Sequence, residues 1–227
     1  MRQETGTESR RGAKRDTVRR LSLLAVGFGT ALPLIASAQA SVGAVAASGG
    51  PAPGPANNCV VDVTGGANTP VTEHCFSTFT EAIRFATDGA ITDAPATAVE
   101  GVEDPALNAL LGSSEKATGT EPAPAADGAL LVIGIEYEHI NYGGASFTFR
   151  GPRRCTSPTT DVDYSVNLPR IWWDRISSFK NFANCYTNHY AYTNFIPPAT
   201  GYLNDRPVMP IINGRNFNDD ARSIRWS

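Results

Sequence analysis

WWDRISSF, residues 172–179, and NDDARSIRW, residues 218–226, are two versions of one pattern. Setting Asp174 on Asp219 brings Ile176 onto Ala221, Ser178 onto Ser223, Phe179 onto Ile224 and Lys180 onto Arg225. An acid, then a hydroxyl, then an apolar run, repeated 45 residues later, marks a duplicated structural unit. Each copy also sets oxygen-bearing side chains at a turn before a strand, which is the raw material of a hard-cation site. Asp and Asn at such positions are also ordinary turn formers, so the pattern carries both readings.

Outward from this pair, the whole stretch from Ala129 reads as short strands. LLVIGIEYEHI (residues 130–140) alternates, Gly143-Gly144 turns the chain, and ASFTFRG (residues 145–151) places Phe147 and Phe149 on one face. VDYSVNL, RISSFKNF, NHYAYTNF and RSIRW follow, separated by Pro, Gly, Asn and Asp. Apolar runs with turn signals every 8–12 residues predict an all-β sandwich or barrel over residues 129–227. Trp172, Trp173 and Trp226 are expected in its core rather than on a binding platform.

The N-terminal half is different in texture. Residues 1–20 carry seven basic and three acidic side chains; the remainder has 12 basic against 19 acidic, a net of −7. That balance argues against nucleic acid as a partner. Residues 21–36 are apolar, and Ala38-Gln39-Ala40 fits small-x-small cleavage, so residues 1–40 read as a secretory signal peptide and the protein as extracellular. A membrane anchor is the competing reading; Pro33 and the glycines make the run short for a stable span. Residues 41–58 form a flexible Ala/Gly/Pro leader.

Residues 59–89 predict a small strand-helix module. CVVDV (residues 59–63) alternates, Thr78 and Glu81 have capping-box spacing, and Phe79, Ala82, Ile83 and Ala86 fall on one helical face before Asp88-Gly89. Residues 90–128 contain seven of the eight acids between Asp88 and Asp127 and one base, Lys116, and read as a disordered linker with a turn or two of helix at 104–112. Four cysteines in an exported chain predict disulfides, and nearness in sequence predicts Cys59–Cys75 and Cys155–Cys185. A zinc site is the alternative, but there is no C-x-x-C pair and the three histidines are scattered.

Tyr137-x-x-x-x-Tyr142-x-Gly144 resembles the Greek-key signature of the βγ-crystallin family, an aromatic corner on a folded hairpin with a turn glycine. WDRISS and NDDARS resemble that family's calcium motif, Asn/Asp-Asn/Asp-x-x-Ser/Thr-Ser. The resemblance covers residues 130–227 and implies a two-sheet Greek-key sandwich. The second signature is degenerate: Tyr190 or Tyr192, Phe195 and Gly201, with Pro197-Pro198 inserted.

The resemblance further implies calcium sites shared between the repeats. Asn218, Asp219 and Asp220 with the Ser177 hydroxyl make one oxygen site. In the other, Trp173 replaces the first acid and Arg222 replaces the hydroxyl, so Arg222 is expected to pair with Asp174 in place of a metal. One weak calcium site follows, in the range of roughly 10⁻⁴–10⁻³ M. His139 and His189 are expected at surface or turn positions, and no catalytic residues are assigned because no triad or paired-carboxylate spacing is present. The expectation is a secreted, non-enzymatic binding or structural protein. The alternative is a protease inhibitor that presents the proline-rich hairpin 193–210 to an extracellular protease or other secreted protein.

Overall fold

The computed structural model describes residues 57–64, 69, 71–112, 130–156 and 160–227. The expected signal peptide (1–40), the leader up to residue 56 and residues 113–128 of the expected linker lie outside the described residues. Among the described residues no helix is long and apolar enough to cross a membrane.

In chain order the elements are β1 (Asn58–Asp62), β2 (Glu73–Phe76), α1 (Phe79–Ala86), α2 (Ala98–Glu103), α3 (Pro105–Leu111), β3 (Leu131–Tyr137), β4 (Ser146–Gly151), β5 (Tyr164–Asn167), β6 (Ser178–Asn181), β7 (Thr187–Tyr190), β8 (Ile211–Ile212), β9 (Arg215–Asn216) and β10 (Ser223–Trp226). One sheet has the order β2-β1-β4-β3-β6, and a second has β5-β10-β7. Single bridges extend both. Arg206 pairs with Phe179 on β6, while Ala199 and Leu203 pair with Tyr190 and Thr187 on β7.

With those bridges, each sheet contains strands from both repeats. The first repeat runs β3, β4, β5, β6, yet β5 pairs with β10 of the second repeat. The second runs β7, the 199–203 segment, the segment around Arg206 and β10, yet Arg206 pairs with β6 of the first. Each Greek key thus lends its third strand to the other's sheet, and neither can close its core alone.

Between the two sheets lies an aromatic core. Phe147 stacks on Trp172 with ring centroids 4.6 Å apart, and Phe149 lies 4.8 Å from Trp226. Trp172 and Trp226 are buried, as expected of core residues, and Trp173 is partly buried against the same cluster. A bulge between Val132 and Gly134 lets β3 serve two layers. Ile133 faces the other sheet, while Val132, Ile135 and Tyr137 face the helices.

The N-terminal segment is joined to this sandwich. β1 pairs in parallel with β4 and antiparallel with β2, so the first sheet continues into it. Alternation does the rest: Cys59 and Val61 enter the inter-sheet core, and Val60 enters the helix layer. α1 starts at Thr78 with both capping-box bonds to Glu81 and buries Phe79, Ala82, Ile83 and Ala86. Chain reversal follows at Asp88 and Gly89, both at positive φ.

Residues 98–111, expected inside a disordered linker with a turn or two of helix at 104–112, form α2 and α3, of which α3 lies within that expected helix. The local signals are ordinary: a Thr97/Glu100 capping box, then Asp104 as N-cap, Pro105 in the first turn and Gly112 in the left-handed conformation at the end. Two such short helices would not persist alone. They hold because Ala98, Leu107 and Leu111 cover the outer face of the first sheet beside Val132, Ile135 and Tyr137. Both expected disulfides are present, Cys59–Cys75 and Cys155–Cys185.

Gly144 gives a direct test of the hairpin geometry. Its φ is +77°, and a Cβ there would lie 2.9 Å from the His139 ring and 3.0 Å from Glu138 Cβ. Gly144→Ala is therefore expected to cost about 1–2 kcal/mol from the backbone conformation alone. Urea unfolding should show a lower midpoint with an unchanged slope.

Candidate metal site

The two halves of the repeated motif face each other. Asp174 and Asp219 both adopt left-handed backbone conformations, with φ of 56° and 54°. The Asp174 N–H donates to the Ala221 carbonyl at 3.1 Å, and the Asp219 N–H donates to the Ile176 carbonyl at 3.0 Å. These are equivalent positions in the alignment, so each turn is braced by the other.

The last serine of each motif repeats this symmetry within its own repeat. Ser178 Oγ donates to the His139 carbonyl at 2.6 Å and accepts from the Tyr142 N–H at 3.0 Å. Ser223 Oγ donates to the Tyr192 carbonyl at 2.7 Å and accepts from the Phe195 N–H at 3.1 Å. Above these latches sit the aromatic corners. Tyr137 meets Tyr142 edge-on at 5.4 Å, and Tyr190 meets Phe195 edge-on at 5.7 Å. The degenerate second signature is thereby resolved: Tyr190 is the corner residue, and Tyr192 precedes the turn.

The symmetry breaks at the fifth position of each motif. Ser177 Oγ lies 2.8 Å from Asp219 Oδ1, so the hydroxyl of the first motif reaches the acid of the second. In the mirror position Arg222 clamps Asp174, with Nη2–Oδ2 at 2.7 Å and Nε–Oδ1 at 2.9 Å. The hydrogen bonds and charge of Asp174 raise the Arg222 pKa, so the guanidinium stays protonated beside it. A guanidinium offers no acceptor oxygen and supplies positive charge where a cation would sit. One half is thus an oxygen cluster and the other an ion pair.

Within the oxygen cluster, three donors suit a hard cation. They are Ser177 Oγ, the Asp219 carboxylate and Asn218 Oδ1, the last shielded from solvent without a hydrogen-bond partner. Asn218 Nδ2 also bonds Asp219 Oδ2 at 2.8 Å, which holds the amide and the carboxylate together. Asp220 behaves differently from expectation. Its carboxylate is taken by Arg215, with Nη2–Oδ1 at 2.7 Å. That leaves Ser177, Asn218 and Asp219 as the side-chain donors without a cationic partner.

Among the described residues, Cys59, Glu73 and Cys75 form a second grouping of metal-ligand residue types. The two sulfurs are bonded to each other, so neither is the thiolate a metal would need.

His139 is exposed, as expected, but His189 is not a surface residue. It is fully buried, with Nε2 3.0 Å from Glu136 Oε2, and Glu136 is equally buried. Glu136 stands on β3 and His189 on β7, so the bond joins the two sheets. Being sealed from solvent, the pair is not placed to meet a substrate.

The 193–210 segment, expected as a projecting hairpin, is tied into both sheets. Thr200 N bonds the His189 carbonyl at 3.0 Å, Leu203 exchanges bonds with Thr187, and Arg206 exchanges bonds with Phe179. Its exposed apolar side chains are Ile196 and Val208, with Pro197 and Pro207 beside them. A cavity of about 500 Å³ opens elsewhere, lined by Phe76, Glu81, Arg84, Phe85, Asp88 and Gly89.

No family model and no curated protein matches this chain. Solved structures do. A βγ-crystallin domain from Clostridium beijerinckii is 24% identical and covers 41% of this chain and 95% of its own, with a TM-score of 0.29. One from Flavobacterium johnsoniae is 22% identical, covers 42% and 93%, and has a TM-score of 0.30. A βγ-crystallin from an archaeon is 22% identical, covers 42% and 98%, and has a TM-score of 0.28. Two Greek keys with exchanged third strands, paired aromatic corners and facing acid–hydroxyl turns make residues 130–227 a βγ-crystallin-like Greek-key domain.

Proposed function

We propose that this is an exported, non-enzymatic protein whose Greek-key domain binds a single calcium ion weakly at Ser177, Asn218 and Asp219. The observation that supports it is the approach of Ser177 Oγ to Asp219 Oδ1 beside the unpartnered Asn218 Oδ1. Three neutral or anionic oxygens on two chain segments suit a hard cation, and a cation there would bridge the repeats. The arginine clamp at Asp174 supports a stoichiometry of one rather than two. Two disulfides support the exported setting.

Calorimetric titration should give one site with Kd of roughly 10⁻⁴–10⁻³ M. At ~10 mM calcium, linkage then predicts at least about 1.4 kcal/mol of stabilisation, seen as a raised Tm. Asp219→Ala should abolish both the heat and the shift. A native chain that shows neither heat nor shift at this concentration would sink the reading.

A further inference from the structure

The two disulfides differ in the property that governs thiol–disulfide exchange, which is access to the sulfur. Cys155 and Cys185 are 4% and 0% exposed. Cys59 is also buried, at 6%, but its partner Cys75 is exposed. Cys75 sits on β2, the terminal strand of the five-stranded sheet, directly opposite Cys59 in the antiparallel register. Solvent therefore reaches one residue of this bridge and neither residue of the other.

The surroundings of Cys75 also select among thiols. Glu73 lies two residues earlier on the same strand face, with its carboxylate and both sulfurs within 4.8 Å of one another. Its Oε1 is shielded and lacks a hydrogen-bond partner, so its charge is not relieved there. An anionic thiol approaching Cys75 meets this carboxylate at close range, whereas a cationic one is attracted.

We propose that Cys75 is a site of S-thiolation by small cationic or neutral thiols, through exchange with the Cys59–Cys75 disulfide. The incoming thiolate forms a bond to Cys75 Sγ as the Cys59–Cys75 bond breaks. Its electron pair leaves with Cys59 Sγ, which takes a proton from water. One disulfide is exchanged for another, so no separate oxidant or reductant is needed. The backbone pairing of β1 with both β2 and β4 gives the strands a hold that does not depend on the bridge.

The test uses the full native chain at about pH 8, where thiols are partly ionised. It is incubated with cysteamine or with 2-mercaptoethanesulfonate, quenched in acid, alkylated and mapped by peptide mass. The expected product carries cysteamine on Cys75 and the alkyl group on Cys59. It should form at least ~10-fold faster than Cys155–Cys185 opens, because reactivity follows access. Cysteamine should outpace the sulfonate, and Glu73→Gln should narrow the gap. An adduct on Cys59, or opening of both bridges at one rate, would overturn the site. Equal rates for the two thiols on the native chain would overturn the thiol class, whether or not the Glu73 variant folds.

Discussion

Replacing either Glu136 or His189 by alanine is expected to destabilise the protein by about 3 kcal/mol, the upper end of what leaving a buried hydrogen-bonding group without its partner costs. Glu136 lies on β3, between Phe147 of β4 and Phe179 of β6 in the register. His189 lies on β7 of the other sheet, opposite Ile224 of β10. Their 3.0 Å bond thus crosses the sandwich between groups that are 0% exposed. Loss of the imidazole strands a carboxyl group in an apolar layer; loss of the carboxyl group strands a ring nitrogen. The double variant Glu136→Leu/His189→Phe removes both polar groups and should be less damaging than either alanine variant. Urea unfolding of the three proteins decides the matter. Alanine variants that each cost under about 1 kcal/mol, no more than an ordinary hydrogen bond, would show that the pair does not hold the sheets together.

Phe149→Ala should be comparably severe. The ring is fully buried and packs 4.8 Å from Trp226 and 4.6 Å from Phe147. Buried phenylalanine truncations cost about 3–5 kcal/mol, transfer and cavity together. For a chain of this size that corresponds to a fall in Tm of roughly 6–20 °C. Phe149→Leu, which leaves a smaller void, should recover much of the loss. A near-native Tm for Phe149→Ala would mean that the inter-sheet layer is not the main core.

Both predictions concern a layer whose existence the sequence indicated and whose membership it did not. Phe147 and Phe149 could be assigned to one face because side chains alternate along a strand. That Glu136 shares that face was hidden by the bulge after Val132, which shifts the register and reverses the faces beyond it. His189 was concealed similarly. A histidine in a short polar-looking strand carries no local mark of burial, and its partner is 53 residues away.

The calcium-type cluster shows the same division. Asp174 against Arg222, and Ser177 against Asp219, were implied by the resemblance to the βγ-crystallin calcium motif, in which the hydroxyl of one repeat meets the acids of the other. The capture of Asp220 by Arg215 was not. It depends on the β8–β9 hairpin returning Arg215 to the same turn. Likewise, the caps that start and stop α2 and α3 are written in residues 97–112 and a turn or two of helix was legible at 104–112, but the acidic, alanine- and proline-rich context gave no sign of α2 or of the sheet face on which both helices dock.

What the sequence by itself determined was local and periodic: the strand texture, the α1 cap, the two disulfide pairings and the duplicated turn. These follow from alternation, spacing and nearness along the chain, which need no third dimension. Only the tertiary structure decided that β1 would join β4 in parallel, that α2 and α3 would dock on the outer sheet face, and that Glu136 and His189 would meet. Each depends on surfaces from separate parts of the chain brought together, where burial of apolar area sets the outcome and local propensity has little say.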